Sequence, residues 1–294
     1  MSDRKRSSRR NRRPPVRHSI KVREVSATAE RATATPQPES MPRMPAFEPV
    51  MFGMLAKVSV ELVPLYTALA VVHDDMSGAH ANACVPICHQ LAGALAHLGF
   101  DAEVMTACAQ VGDRDRQDVT YADIGVWDRP PIVRPDGTTD GHVVLWANSF
   151  RRLVDPTIAQ APMLMEAART DVQFTLPTIL PVASREQLLS MPTISTAKGP
   201  YLITWMLLPD WNEALMPALF GDIGEAMPYA TLALAYECLH VMRALGEERT
   251  DLRQLHNRYP RLGDLLAGRR QLPELPSEPP AAFVRIRRAA RGTG

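Results

Sequence analysis

Aromatic side chains make up only 6% of this 294-residue sequence, so Leu, Val, Ala and Met must fill whatever core it builds. Cysteine is scarce as well. Cys84, Cys88, Cys108 and Cys238 are the four in the chain, too thin a set at this length for the disulfide framework of a small secreted domain. Only four lysines stand among 33 basic residues, a skew that fits a high-GC bacterial genome and carries no mechanism. The basic start lacks a following apolar run; Pro, Ser and charge come after Arg9-Arg10 and Arg12-Arg13, so no signal peptide is expected. The most apolar window, residues 50–72, contains Lys57 and Glu61, and either charge is costly at a bilayer centre. A buried helix is expected there, with no membrane span and a cytoplasmic location. No internal repeat is present.

What is there in quantity is apolar residues, 46% of the chain, enough for a globular core. Charge is unevenly spread although the net is +1. Residues 1–45 hold twelve Lys/Arg against four Asp/Glu, and residues 283–294 hold four Arg and no acid, which leaves the body between them at −11. The first 45 residues, rich in Arg, Ser, Thr and Pro, cannot bury enough surface to offset the entropy of ordering. They are expected to form a disordered basic tail that an acidic protein or nucleic acid could partner, although no base-reading motif accompanies it. Residues 46–272 are expected to be one α+β domain, with an insertion over 112–140. Residues 273–294, Pro-rich and then Arg-rich, are expected to be a flexible tail.

Within the body, residues 47–73 predict a helix. Cys84, Ile87, Cys88, Leu91, Leu95 and Leu98 recur at three- and four-residue steps, which predicts a helix over 84–98 with one apolar face, ended by Gly99. Alternation at Ala102, Val104, Thr106 and Cys108 predicts a strand. A short strand around Tyr121 to Trp127 interrupts the insertion. Further strands are expected at 172–182 and 201–208, with Pro177, Pro181 and Pro192 near the first arguing for an edge position or irregular chain. A helix is expected over 229–246, with Leu232, Tyr236, Leu239, Met242 and Leu245 inward.

Two segments carry chemistry. A helix N-terminus and a neighbouring imidazolium each favour a thiolate, lowering its pKa from about 8.5 to as little as ~3.5. Cys84 stands in the first turn of its helix, with Asn82 as a natural N-cap and Pro86 tolerated because a first-turn N–H lacks an intrahelical acceptor. Cys88, one turn deeper, is expected to be core, as are Cys108 and Cys238. His97 and His240 are expected to be solvent or packing residues. The second segment is a hairpin, His142 to Ala147 and Phe150 to Asp155. With Asn148-Ser149 as a two-residue turn, Val144 pairs with Leu153 and His142 stands directly opposite Asp155, within reach of a hydrogen bond. Asp155 then orients the imidazole, whose other nitrogen takes the Cys84 proton. Asp140, beside Gly141, is a second acid that could shift His142. A zinc site from Cys84, Cys88 and His89 lacks a second ligand pair, so neither metal nor cofactor is expected.

Cys84 with Leu98-Gly99-Phe100 fifteen residues on resembles the core helix of the transglutaminase-like superfamily, and arylamine N-acetyltransferases are similar over the same stretch. Gly141-His142 opening one strand and Asp155-Pro156-Thr157 closing the next resemble the transglutaminase-like pattern, over residues 78–160 in all. Where that superfamily usually has glycine before the nucleophile, this chain has Asn82-Ala83. The resemblance implies a papain-like core, in which the helix carrying the nucleophile packs on an antiparallel sheet carrying His and Asp. It also implies a catalytic triad of Cys84, His142 and Asp155.

Two functions of different kind follow. One is a cysteine-dependent acyltransferase or thiol hydrolase, acting on an amide- or amine-bearing substrate through a thioester on Cys84. The other is a non-catalytic binding or maturation module of the same fold, with the basic tail as its targeting element. The negative body favours a cationic or amine-bearing partner.

Overall fold

The computed structural model describes residues 55–76, 83–135 and 139–290. The expected basic tail, residues 47–54 of the first expected helix, Asn82, and Asp136-Gly137 lie outside the described residues. Nine strands and eight α-helices follow in order among those described: α1 (Val63–Met76), α2 (Cys84–Leu98), β1 (Glu103–Asp113), β2 (Thr120–Ile124), β3 (Ile132–Val133), β4 (Thr139–Asp140), β5 (His142–Ala147), β6 (Arg152–Asp155), α3 (Pro162–Ala168), β7 (Thr178–Pro181), α4 (Arg185–Ser190), β8 (Ile194–Lys198), β9 (Tyr201–Leu207), α5 (Asp222–Glu248), α6 (Leu255–Arg258), α7 (Pro260–Leu266) and α8 (Ala281–Ala290). The architecture is α+β. None of these helices is long and apolar enough to cross a membrane.

The sheet runs β7-β6-β5-β1-β9-β8, with β2 alongside β1, and every pairing is antiparallel. Its hub is β1, longer than the expected 102–108. One half pairs with β5 and the other with β2 along the same side. Thus the start of the 112–140 stretch extends the main sheet instead of lying over it. Its Asp-Arg cluster is a turn tied by Asp113, which accepts hydrogen bonds from the Arg116 guanidinium and the Tyr121 hydroxyl. The sheet curls until it is nearly closed. Lys198, at the end of β8, donates to the Leu176 carbonyl just before β7, and the Phe174 and Tyr201 rings meet edge to face at 5.8 Å across the same seam. As its prolines require, β7 is an edge strand, and it is shorter than expected because 172–175 is a 3-10 turn.

One face of the sheet packs on helices α1, α2 and α5 through a leucine-rich core. The concave side holds a second core with Trp146, Trp205, Met105, Ile203 and Leu153. Helix α2 has the expected bounds. Its apolar face is buried along its length, each such leucine stabilising the fold by roughly 1.5–3 kcal/mol. Gly99 stops it in the left-handed region at φ 94°, where a side chain would be strained.

Several expectations need correction. Helix α1 begins at Val63, after a 3-10 turn over Val60–Leu62, because Pro64 suits a first turn and not a helix interior. Helix α5 starts seven residues before the expected start at 229; it absorbs Pro228 and is entered through Gly221 at φ 64°. Tyr236 is 37% exposed, not inward, and its hydroxyl donates to the Pro273 carbonyl. The C-terminal stretch read as a flexible tail carries α8, docked on α5. Ala282 is buried, Phe283 packs on Tyr229 at 4.8 Å and Arg285 pairs with Asp222. Its composition suggested a solvated tail because most of its apolar contacts come from a helix over fifty residues earlier.

The β5–β6 hairpin differs most usefully. Leu145 pairs with Val154 and Trp146 with Leu153, two residues away from the expected register. The connection is not the two-residue turn Asn148-Ser149 but a 3-10 turn over Asn148–Phe150, closed by Arg151 at φ 52°. The cause is tertiary. Phe150 leaves the ladder to pack on Phe100, with ring centroids 4.6 Å apart, and Asp101 takes the Asn148 amide at 2.6 Å.

Candidate active site

Helix α2 begins at Cys84, and Ala83 occupies the N-cap position without a side-chain capping bond; the capping role expected for Asn82 lies outside the described residues. As the first helical residue, Cys84 has no intrahelical acceptor for its N–H, and the positive end of the helix dipole lies at its thiol. His142 opens β5 and Asp155 closes β6, at the same end of the sheet. In the true register Asp155 stands level with Val144, one step past the Leu145–Val154 pair. His142 is therefore its diagonal neighbour, not its direct partner. A diagonal pair is within reach of long side chains, and His142 Nε2 lies 2.7 Å from Asp155 Oδ2. With Nε2 engaged, Nδ1 is the nitrogen left free for the Cys84 thiol, which lies near enough to the imidazole to add to the rise in its pKa. The three expected residues are thus brought together, at 5%, 3% and 2% exposure.

Asp155 is held on both oxygens. Oδ1 accepts from the Ile158 N–H at 2.9 Å and the Thr157 N–H at 3.1 Å. Asp155-Pro156-Thr157 is thus a turn in which the carboxylate ties down the chain that follows. Oδ2 accepts from His142 and also from Trp205 Nε1 at 2.7 Å. Trp205 lies on β9, fully buried, fifty residues away in sequence. Sequence reasoning missed it, since nothing local distinguishes it from a core tryptophan. The chain of contacts Cys84–His142–Asp155–Trp205 crosses the end of the sheet from the helix-side core to the concave one.

The electrostatics follow from this closure. Burial pulls the His142 pKa down, but the Asp155 carboxylate, by charge and hydrogen bond, and then Cys84 raise it to about 10. Burial pushes Asp155 up, yet His142, the Trp205 indole and the Thr157 N–H together hold it below the ordinary carboxylate value. The pair is an imidazolium–carboxylate. Cys88 differs. It is wholly buried, donates to the Val143 carbonyl at 3.6 Å, and is pushed well above the usual thiol value by burial first and then by Cys84 and Asp155. Cys108 and Cys238 are likewise buried and raised, to about 12 by burial in the first case.

Asp140 is paired with Arg129 and Arg134 instead of with His142. His97, in the last turn of α2, offers its carbonyl to Arg261, and His240 is exposed on α5. Gly141 sits against Pro131, where a Cβ would come within 2.4 Å of that ring. The later part of the 112–140 stretch therefore flanks His142. Among the described residues no group of three His, Cys, Asp or Glu is placed to hold a metal ion. Compared with protein-family models, with curated proteins and with solved structures, the chain matches none.

Proposed function

We propose that the protein is a cysteine-dependent acyl-transfer enzyme with a papain-like core of transglutaminase-like type, in which Cys84 is the nucleophile, His142 the general base and acid, and Asp155 the group that orients the imidazole. The observation that carries the reading is the buried hydrogen-bonded pair of His142 and an Asp155 fixed on both oxygens, with Cys84 at a helix start beside the imidazole. The attacking species is the Cys84 thiolate, whose proton has passed to His142. Its sulfur attacks a carbonyl carbon, the S–C bond forms and the carbonyl electron pair moves onto oxygen, where the Cys84 N–H is a donor. Collapse expels the leaving group, which takes the His142 proton, and leaves a thioester. Water or an amine then attacks the thioester carbonyl, His142 removes its proton, and the S–C bond breaks to restore Cys84. Asp155 keeps Nε2 as the protonated nitrogen so that Nδ1 faces the sulfur.

One observation favours a second reading, a binding or maturation module without turnover: Cys84 and His142 are only 5% and 3% exposed. Alkylation separates the two. With iodoacetamide at pH 6, where an ordinary thiol is almost fully protonated, the enzyme reading expects one adduct, on Cys84. An unlabelled Cys84 under these conditions, in protein shown to be folded, would reject it.

A further inference from the structure

A cavity of about 510 Å³ is lined by the chain neighbours of Cys84 and His142, though by neither of those residues themselves, and it is within the usual size of small-ligand sites. Val85 and Val143, the residues following Cys84 and His142 in the chain, form its inner wall, and His89, one helical turn along α2, continues it. The outer wall is the 3-10 segment Pro209–Leu219, which contributes Leu215, Met216 and, just past its end, Phe220. This wall is pinned in place. Asn212 Oδ1 accepts the Thr106 N–H at 2.8 Å, and the Thr106 hydroxyl donates to the Trp211 carbonyl at 3.1 Å. These bonds hold the 209–219 segment against β1 and so keep the cavity's outer wall in place.

Its chemistry is lopsided. Phe220 is 72% exposed and Met216 40% exposed, so large apolar surface stands in water at the mouth, an arrangement that marks binding surfaces. The one acid of the lining is Glu213, exposed at the rim, and no Lys or Arg lines the cavity. Burial lowers the His89 pKa, so this wall presents a neutral imidazole and does not oppose a cation at neutral pH. The body as a whole carries −11, which adds a long-range bias of the same sign.

We propose that this cavity is the specificity pocket of the site, taking an apolar group that carries a positive charge, with the apolar part between Val85, Val143 and Phe220 and the charge at Glu213. As a statement about substrate class it rests on the acyl-transfer reading; the binding itself does not, and can be measured without turnover. A substrate so held has its carbonyl on the Cys84 side and its cation at the rim.

The probes are 4-phenylbutylammonium, 4-phenylbutanol and 4-phenylbutyrate, which share one apolar body and differ in charge. Calorimetry on the full-length Cys84→Ala protein should rank them ammonium, alcohol, carboxylate. A step of about 3-fold between the first two is expected, the scale of one exposed ion pair. Glu213→Gln should bring the ammonium down to the alcohol, and Phe220→Ser should weaken all three; both side chains are exposed, so the fold is kept. In the wild-type protein, saturating ammonium should slow alkylation of Cys84. Equal affinity for the three probes, no response to Glu213→Gln, or binding that leaves Cys84 alkylation unchanged would each overturn the proposal. Failure of the acyl-transfer reading shows separately, as loss of Cys84 labelling at pH 6 without any probe.

Discussion

The two faces of the sheet are packed differently, and each supplies a different part of the site. The helix side is built mainly of leucines from α1, α2 and α5. It fixes where α2 starts and hence where the Cys84 sulfur stands. The concave side holds two fully buried tryptophans, one of which bonds the acid. Apolar packing on one face places the Cys84 sulfur along a helix axis, whereas a directional hydrogen bond on the other aims a carboxylate. The two tryptophans sharpen the contrast. Trp205 Nε1 donates to Asp155, while Trp146 Nε1, equally buried, has no partner among the described residues. One indole N–H holds the acid and the other accompanies a large apolar ring.

The contrast can be broken most sharply at the helix start. Cys84→Ala should remove the alkylation adduct and any turnover, a loss on the order of a million-fold for a nucleophile acting within a unit, with the melting temperature almost unchanged. Cys88→Ala, one turn deeper on the same face, should keep the adduct. Intact-mass labelling of both variants decides between the two thiols, and loss of the adduct in Cys88→Ala instead would move the nucleophile inward.

Asp155→Asn comes next. An amide can present the wrong partner to Nε2 and select the unproductive tautomer, and a fall in rate on the order of 10⁴ is expected by analogy with serine triads. The same pair governs pH dependence. Because the folded His142 pKa is raised from 6.5 to about 10, the pair's contribution to stability is complete below about 6.5 and is lost as pH rises through 10. Asp155, held below its ordinary value of 3.8, contributes above that value, and its share is lost only as pH falls below it. The melting-temperature difference between the parent and His142→Gln, in the Cys84→Ala background, should therefore shrink between pH 6.5 and 10. A difference that grew over that interval would contradict the ion pair.

Trp205→Phe should cost about 1–3 kcal/mol, the usual range when a buried acceptor loses a donor, and should slow Cys84 alkylation. Trp146→Phe, which removes an N–H that bonds nothing described, should cost less and leave alkylation unchanged. Equal effects would mean that Trp205 acts through ring packing alone. The smallest effect belongs to the helix side: Cys88→Ala should lower stability by about 1–2 kcal/mol, scaled from the loss of buried side-chain atoms, as read by chemical denaturation.

How much of this was legible in the sequence depends on the range over which each feature is decided. Helix α2 was readable to the residue, since its face repeats every three or four positions and Gly99 ends it locally. The prolines around β7 left an edge strand or irregular chain, and the structure has both, an edge strand after a 3-10 turn. The hairpin register was not, because Phe150 is drawn from the ladder by Phe100, on a segment the turn chemistry of residues 148–149 cannot see. The docked helix α8 was hidden for a similar reason, since Tyr229 and Asp222 lie far upstream. Local spacing placed a cysteine at a helix start and put His142 and Asp155 on adjoining strands. Only the tertiary structure decided that they meet on the diagonal, that Trp205 completes the shell of the acid, and that residues 209–220 wall a cavity against Val85 and Val143. Short-range periodicity sets the elements, but a fully satisfied buried carboxylate needs donors from several of them, and those are gathered only when the sheet closes.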